Sequence, residues 1–146
     1  MKPYPHHYSV SARGSVAGPV PVAALGLPEL QTAPPPEFDG PGGVWSPESL
    51  LVGSVVDCFV LTFRGVARAA HFPWDSLECE VTGTLERIDG VSRFSRFATK
   101  ARLTVPSGSD AEKAHQLLER AEKACLIANS LNAERLLEAD VTAAAS

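Results

Sequence analysis

The sequence predicts an α+β fold in one domain, residues 1–146. Three observations carry that reading. An apolar helical run follows residue 46, two alternating segments flank Asp89-Gly90, and an amphipathic helix follows a capping signal near residue 109. A chain of 146 residues buries roughly 68–70% of its extended surface on folding, enough for a core without metals or crosslinks. Hydrophobic residues at 45% and charged residues at 21% exclude wholesale disorder. Thirteen Lys and Arg against 17 Asp and Glu give a net charge of −4, which leaves no basic stripe for nucleic acid.

The elements follow in order. Tyr8, Val10 and Ala12 alternate with polar residues, as Val20 and Val22 do around Pro21, so two short strands are expected with a turn near residues 14–18. The prolines 34–36 and the glycines and prolines of residues 40–43 make a loop. Ser46 then suits a helix N-cap, Pro47 the first helical position and Glu48 the positive helix end. From there to about residue 70, Leu, Val, Phe and Ala cover nearly the whole circumference, so the helix is expected to be buried on several sides. Its most apolar stretch, residues 50–63, is shorter than a bilayer span and carries Asp57.

Leu77, Cys79, Val81 and Leu85 alternate with Glu78, Glu80, Thr82 and Glu86, a half-buried strand. Asp89-Gly90 is a type I′ hairpin signal leading to a return strand over residues 91–105. Pairing out from that turn sets Phe94 against Leu85 but sends Lys100 against Cys79. One bulged residue between Phe94 and Phe97 repairs this, pairing Leu77 with Leu103, Glu78 with Arg102, Cys79 with Ala101 and Glu80 with Lys100. Ser109-Asp110-Ala111-Glu112 reads as a capping box. Behind it Ala114, Leu117, Leu118, Ala121 and Cys125 mark the buried face of a helix, and residues 136–141 form a last strand.

Three cysteines, an odd number, do not make a secreted disulfide framework, and no Cys or His spacing suggests zinc. The N-terminal Met-Lys-Pro-Tyr-Pro-His-His lacks the apolar core of a signal peptide, so a cytosolic protein with reduced thiols is expected. Cysteine in an apolar helix is by default a small hydrophobe. Cys58 gains functional weight from Cys125 on a second core-facing stripe and from the glycine-rich loop that leads into its helix. A reactive cysteine is a thiolate. Cys58 lies about three turns into its helix, beyond reach of that helix's dipole, so a cation from elsewhere, best an arginine, is expected to lower its pKa. Asp57 has the wrong sign, but adjacent helix positions diverge by about 100°.

Two segments resemble a known family. Ser46-Pro47-Glu48-Ser49-Leu50-Leu51, followed by Asp57-Cys58-Phe59, resembles the first-cysteine helix of the OsmC/Ohr family, and residues 123–131, Lys-Ala-Cys-Leu-Ile-Ala-Asn-Ser-Leu, resemble its second-cysteine motif. The resemblance implies an OsmC-like fold, with antiparallel sheets packed on two central helices in an intertwined homodimer. It implies a thiol peroxidase that favours organic hydroperoxides, with Cys58 the attacking and Cys125 the resolving cysteine. Glu48 and Arg13 then match the glutamate and arginine that polarise the thiolate. Ten residues separate Glu48 from Cys58, roughly 15 Å of helix and on different faces, so either Arg13 bridges them through its long side chain or a partner subunit supplies some members. The second fits the implied dimer, and the site is expected at the subunit interface.

The expected chemistry is a Cys58 sulfenic acid, condensed with Cys125 to a disulfide and reduced by a dithiol such as a lipoylated protein. It requires no cofactor or metal, and nucleic acid and membrane are not expected partners. The alternative is a non-catalytic protein of the same fold that binds an apolar ligand or senses oxidants through its thiols. Without the resemblance, Glu48 is a first-turn acid, Arg13 an exposed strand-end charge, and Cys79 core packing. His6 and His7 read as solvent-exposed, His71 and His115 have no evident partner, and Trp45, Phe59 and Phe63 either wall an apolar pocket or fill the core.

Overall fold

The computed structural model describes residues 1–145. Contacts divide the chain into two compact units, with the boundary between Leu51 and Val52.

The first unit is built on a three-stranded antiparallel sheet of β1 (Ser11–Ala12), β2 (Val20–Ala23) and β3 (Leu30–Thr32), in that order. β3 was not expected, being only three residues long. β1 is shorter than the alternation from Tyr8 suggests. Ser11 pairs with Ala23, and the chain then turns, with Leu27 N–H donating to Ala24 O and Gly26 at φ 78°. No strand continues to receive Tyr8 and Val10, which are exposed.

The proline–glycine loop contains one 3-10 turn, Pro36–Phe38, closed by Asp39 at φ 63°. Gly40 is required there by close approach. A Cβ on it would lie 1.6 Å from the Pro34 carbonyl oxygen, a backbone atom that cannot swing away. Gly40→Ala should therefore lower stability by about 1–3 kcal/mol, the range for forced overpacking, read as a lower midpoint in urea with unchanged slope.

The loop ends in α1 (Pro47–Ala69). Ser46 caps it as expected, its Oγ accepting from Ser49 N–H at 3.1 Å. Ser49 Oγ lies 2.9 Å from Ser46 N, a reciprocal cap with serine where a capping box carries glutamate.

The second unit packs the rest of α1 against β4 (Ser76–Ile88), β5 (Val91–Val105), α2 (Ala111–Ala124), the one-turn α3 (Leu126–Asn129) and β6 (Glu134–Ala143). Asp89 and Gly90 both have positive φ, 50° and 79°, as a type I′ turn demands. The register is the expected one. Leu77 faces Leu103, Glu78 Arg102, Cys79 Ala101 and Glu80 Lys100, while Thr84 faces Arg96 and Leu85 faces Phe94, which leaves Ser95 as the bulge. β6 joins β5 in parallel, reached by the α2 crossover.

The core of this unit joins Phe59, Phe63 and Ala67 of α1, Ala101, Leu103 and Val105 of β5, and Ala114, Leu117, Leu118 and Ala121 of α2. Two expectations change here. α1 buries one stripe, Val55, Phe59, Phe63 and Ala67, rather than its whole circumference, and Leu61 is 51% exposed. By length and composition its 23 residues could cross a membrane, which the shorter stretch first considered could not, yet the buried stripe faces the core. The N-cap of α2 is Asp110, one residue later than the capping box implies. Asp110 Oδ1 accepts from Lys113 N–H, while Ser109 Oγ is already engaged, donating to Pro106 O at 2.6 Å.

Candidate active site

The second unit brings Cys58 and Cys125 together. Cys58 sits midway along α1, half-buried, one position past the exposed Asp57. Cys125 is fully buried at the junction where α2 ends and α3 begins. Its ψ of 103° takes the backbone out of the helix for a single residue. That break makes Cys125 at once the C-cap of α2 and the N-cap of α3. The first amides of a helix have no partner within it, and here those of Leu126 and Ile127 donate to the Cys58 sulfur.

The two thiols differ sharply. Burial pushes the Cys58 thiol up, but hydrogen bonds from the Ile127 amide, the Thr62 hydroxyl, the Cys125 thiol and the Leu126 amide outweigh it and hold the group below the ordinary thiol value. Thr62 Oγ1, one turn along α1, lies 3.7 Å from Cys58 Sγ. Cys125 is pushed up to about 11, first by burial and further by donating its proton to Cys58 and by the nearby Glu122 carboxylate. Cys79, on the core face of β4, is pushed up to about 11 by burial alone. The two thiols are thus unequal, and uncharged hydrogen-bond donors lower Cys58 where a cation was expected.

A lowered pKa leaves Cys58 partly thiolate at pH values where Cys79 and Cys125 remain protonated. Iodoacetamide at pH 7.5 should alkylate Cys58 first and leave the other two largely unmodified over the same minutes, as read by peptide mass. Equal labelling of all three would contradict the geometry.

The other two candidates lie in the first unit. Glu48, in the first turn of α1, faces an apolar cavity of about 520 Å³ walled by Ala12, Val20, Val22, Pro35 and Phe38. Its Oε1 is buried without a hydrogen-bond partner among the described residues, a costly state for an acceptor. Arg13 N–H donates to Pro21 O at 3.3 Å, continuing the β1–β2 ladder, and Arg13 lines a depression with Ser11, Pro21, Ala23 and Glu29. Val20 and Val22 line the Glu48 cavity, Pro21 and Ala23 the Arg13 depression, and Ala12 borders both. Among the described residues no ion pair joins Arg13 to Glu48 within one chain.

Sequence reasoning missed Thr62 and the Leu126 and Ile127 amides. Thr62 was within reach, since position i+4 after a helical cysteine shares its face. The amides were not, because nothing in Cys-Leu-Ile-Ala signals a helix break. Among the described residues no group of His, Cys, Asp or Glu is arranged to hold a metal.

The α+β scaffold thus holds a lowered thiol hydrogen-bonded to a buried, raised one. The family model for OsmC-like proteins matches residues 40–138, and the chain belongs to that family. It is 28% identical over 112 residues, 73% of this chain and 75% of the relative, to the uncharacterized protein YmaD of Bacillus subtilis. It is 26% identical over 101 residues to the peroxiredoxin OsmC of Escherichia coli, 69% of each chain. Among solved structures, an OsmC-like protein of unknown function from Vibrio cholerae superposes with TM-score 0.84 at 15% identity, covering 92% of this chain and 99% of that one. An organic hydroperoxide resistance protein from Elizabethkingia anophelis gives 0.78 at 19% identity, covering 99% and 100%.

Proposed function

We propose that the protein is a thiol peroxidase that reduces organic hydroperoxides. The observation that carries this reading is the hydrogen-bonded cysteine pair, one thiol lowered and the other raised. The Cys58 thiolate attacks the distal peroxide oxygen. The S–O bond forms as the O–O bond breaks, and the alkoxide takes a proton and leaves as the alcohol. Cys125 then attacks the sulfenic sulfur of Cys58, releasing water and forming a disulfide. A dithiol, such as a lipoylated protein, returns both thiols by exchange. The apolar residues around Cys58 favour an alkyl hydroperoxide over hydrogen peroxide, and none of these steps calls for a metal, flavin or nicotinamide.

Glu48 and Arg13 complete the reading. The unpartnered Glu48 oxygen suits a guanidinium donor. Because no partner meets the buried Glu48 oxygen among the described residues, we place the site at the interface of an intertwined homodimer, where a second subunit supplies one of the two. Arg13 then stabilises charge on the departing oxygen. The chain acts as one domain in the cytoplasm, where the thiols are kept reduced.

The test is a rapid thiol count after one equivalent of cumene hydroperoxide. Two thiols lost per chain, with one cumyl alcohol formed, supports the reading; hydrogen peroxide at the same concentration should act more slowly. Oxidation that is slow and indifferent to the peroxide would overturn it, and an active monomer in solution would remove the shared site.

A further inference from the structure

The break at Cys125 denies the last carbonyls of α2 their usual i+4 partners; Glu122 O accepts from Cys125 N–H at 3.4 Å and also from a side chain of the last strand. Arg135 is the second residue of β6, on the inward side with Leu137, Ala139 and Val141. Its Nε donates to Glu122 Oε1 at 2.7 Å, its Nη1 to Asn129 Oδ1 at 2.7 Å, and its Nη2 to the Glu122 backbone carbonyl. Asn129 in turn donates its side-chain amide to Lys123 O at 3.1 Å, and its backbone amide to Cys125 O at 2.9 Å. One guanidinium therefore ties the last turn of α2 to the end of α3, with Cys125 between them. The Arg135 and Glu122 side chains are 26% and 17% exposed, which sets them apart from the open surface pairs Arg96–Glu134 and Arg102–Glu78.

We propose that Arg135 is a positioning residue for the cysteine pair: its clamp fixes the segment from Glu122 to Asn129 and so keeps the amides of Leu126 and Ile127 aimed at Cys58 Sγ. α3 is a single turn of four residues with no side-chain cap at its start, and so short a helix does not hold itself in place. The three bonds leave Arg135 in different directions, and a lysine, with its compact point charge, cannot make them together. The same clamp occupies the Glu122 carboxylate beside Cys125. Cys58, Cys125 and Glu122 are the titratable groups that interact across this junction.

The proposal rests on Cys58 being the reactive thiol, and its test needs no peroxide. Iodoacetamide alkylation of Cys58, followed by peptide mass against pH, reads the thiolate midpoint directly. Losing about one hydrogen bond to the thiolate should raise the midpoint by about one pH unit in Arg135→Gln, slowing alkylation about tenfold near neutrality. Arg135→Lys should behave nearly the same, and Asn129→Ala should shift in the same direction by less. A cooperatively folded Arg135→Gln or Arg135→Lys protein with the unaltered midpoint overturns the proposal. If neither folds, an unaltered midpoint in Asn129→Ala does so. A protein that reduces no hydroperoxide yet shows these shifts would sink the peroxidase reading and leave the clamp standing.

Discussion

Cys58→Ser should abolish the fast loss of thiols on addition of cumene hydroperoxide, lowering its rate by at least about a thousandfold. Two physical facts set that size. The thiolate is the nucleophile, and a serine hydroxyl receiving the same amide and Thr62 hydrogen bonds stays protonated at any working pH. Cys79 and Cys125 cannot substitute, both being pushed up to about 11. Cys125→Ser should behave differently. One thiol should disappear at an undiminished rate on the first turnover, and the Cys58 sulfenic acid should accumulate, trapped by dimedone and seen as a single adduct by mass. Multiple turnover with a dithiol would then fall with the loss of the resolving step. If Cys58→Ser still loses two thiols quickly, the oxidant is meeting other sulfurs and the site assignment is wrong.

The second large effect falls on stability. Phe63 is fully buried in the α1 stripe, and its ring meets Trp74 edge-on at 5.3 Å. Phe63→Ala should destabilise the protein by about 3–5 kcal/mol, the transfer free energy of the ring plus the cavity it leaves. The change should appear in urea as a lower midpoint at constant slope. The loss should be felt at the site too, because Phe59 and Phe63 anchor the helix that carries Cys58. A destabilisation below about 1 kcal/mol would mean that neighbouring side chains collapse into the space, contrary to a close-packed core.

The elements that could be read in advance are those whose signal is local. Asp89-Gly90 fixes a two-residue turn, and side-chain alternation on both sides of it then leaves one consistent register, which is why the bulge at Ser95 could be located between Phe94 and Phe97. Ser46-Pro47 announced α1 for the same reason. What escaped has a tertiary cause. β3 is held by Val20, Pro21 and Val22 across a turn, and three residues carry no period of their own. The break at Cys125 interrupts a run with good helical propensity and is stabilised by Arg135, ten residues further on. The lowering of Cys58 likewise depends on amides far away in sequence, so reasoning from charges alone looked for an arginine. Arg13 lies one residue beyond β1, and its setting depends on a pairing of only two residues with β2.

The parallel pairing of β6 with β5 has a consequence for biosynthesis. Arg135 reaches Glu122 only after β6 has emerged from the ribosome and docked beside β5, so a nascent chain already holding Cys58 and Cys125 would still lack the tie across their junction.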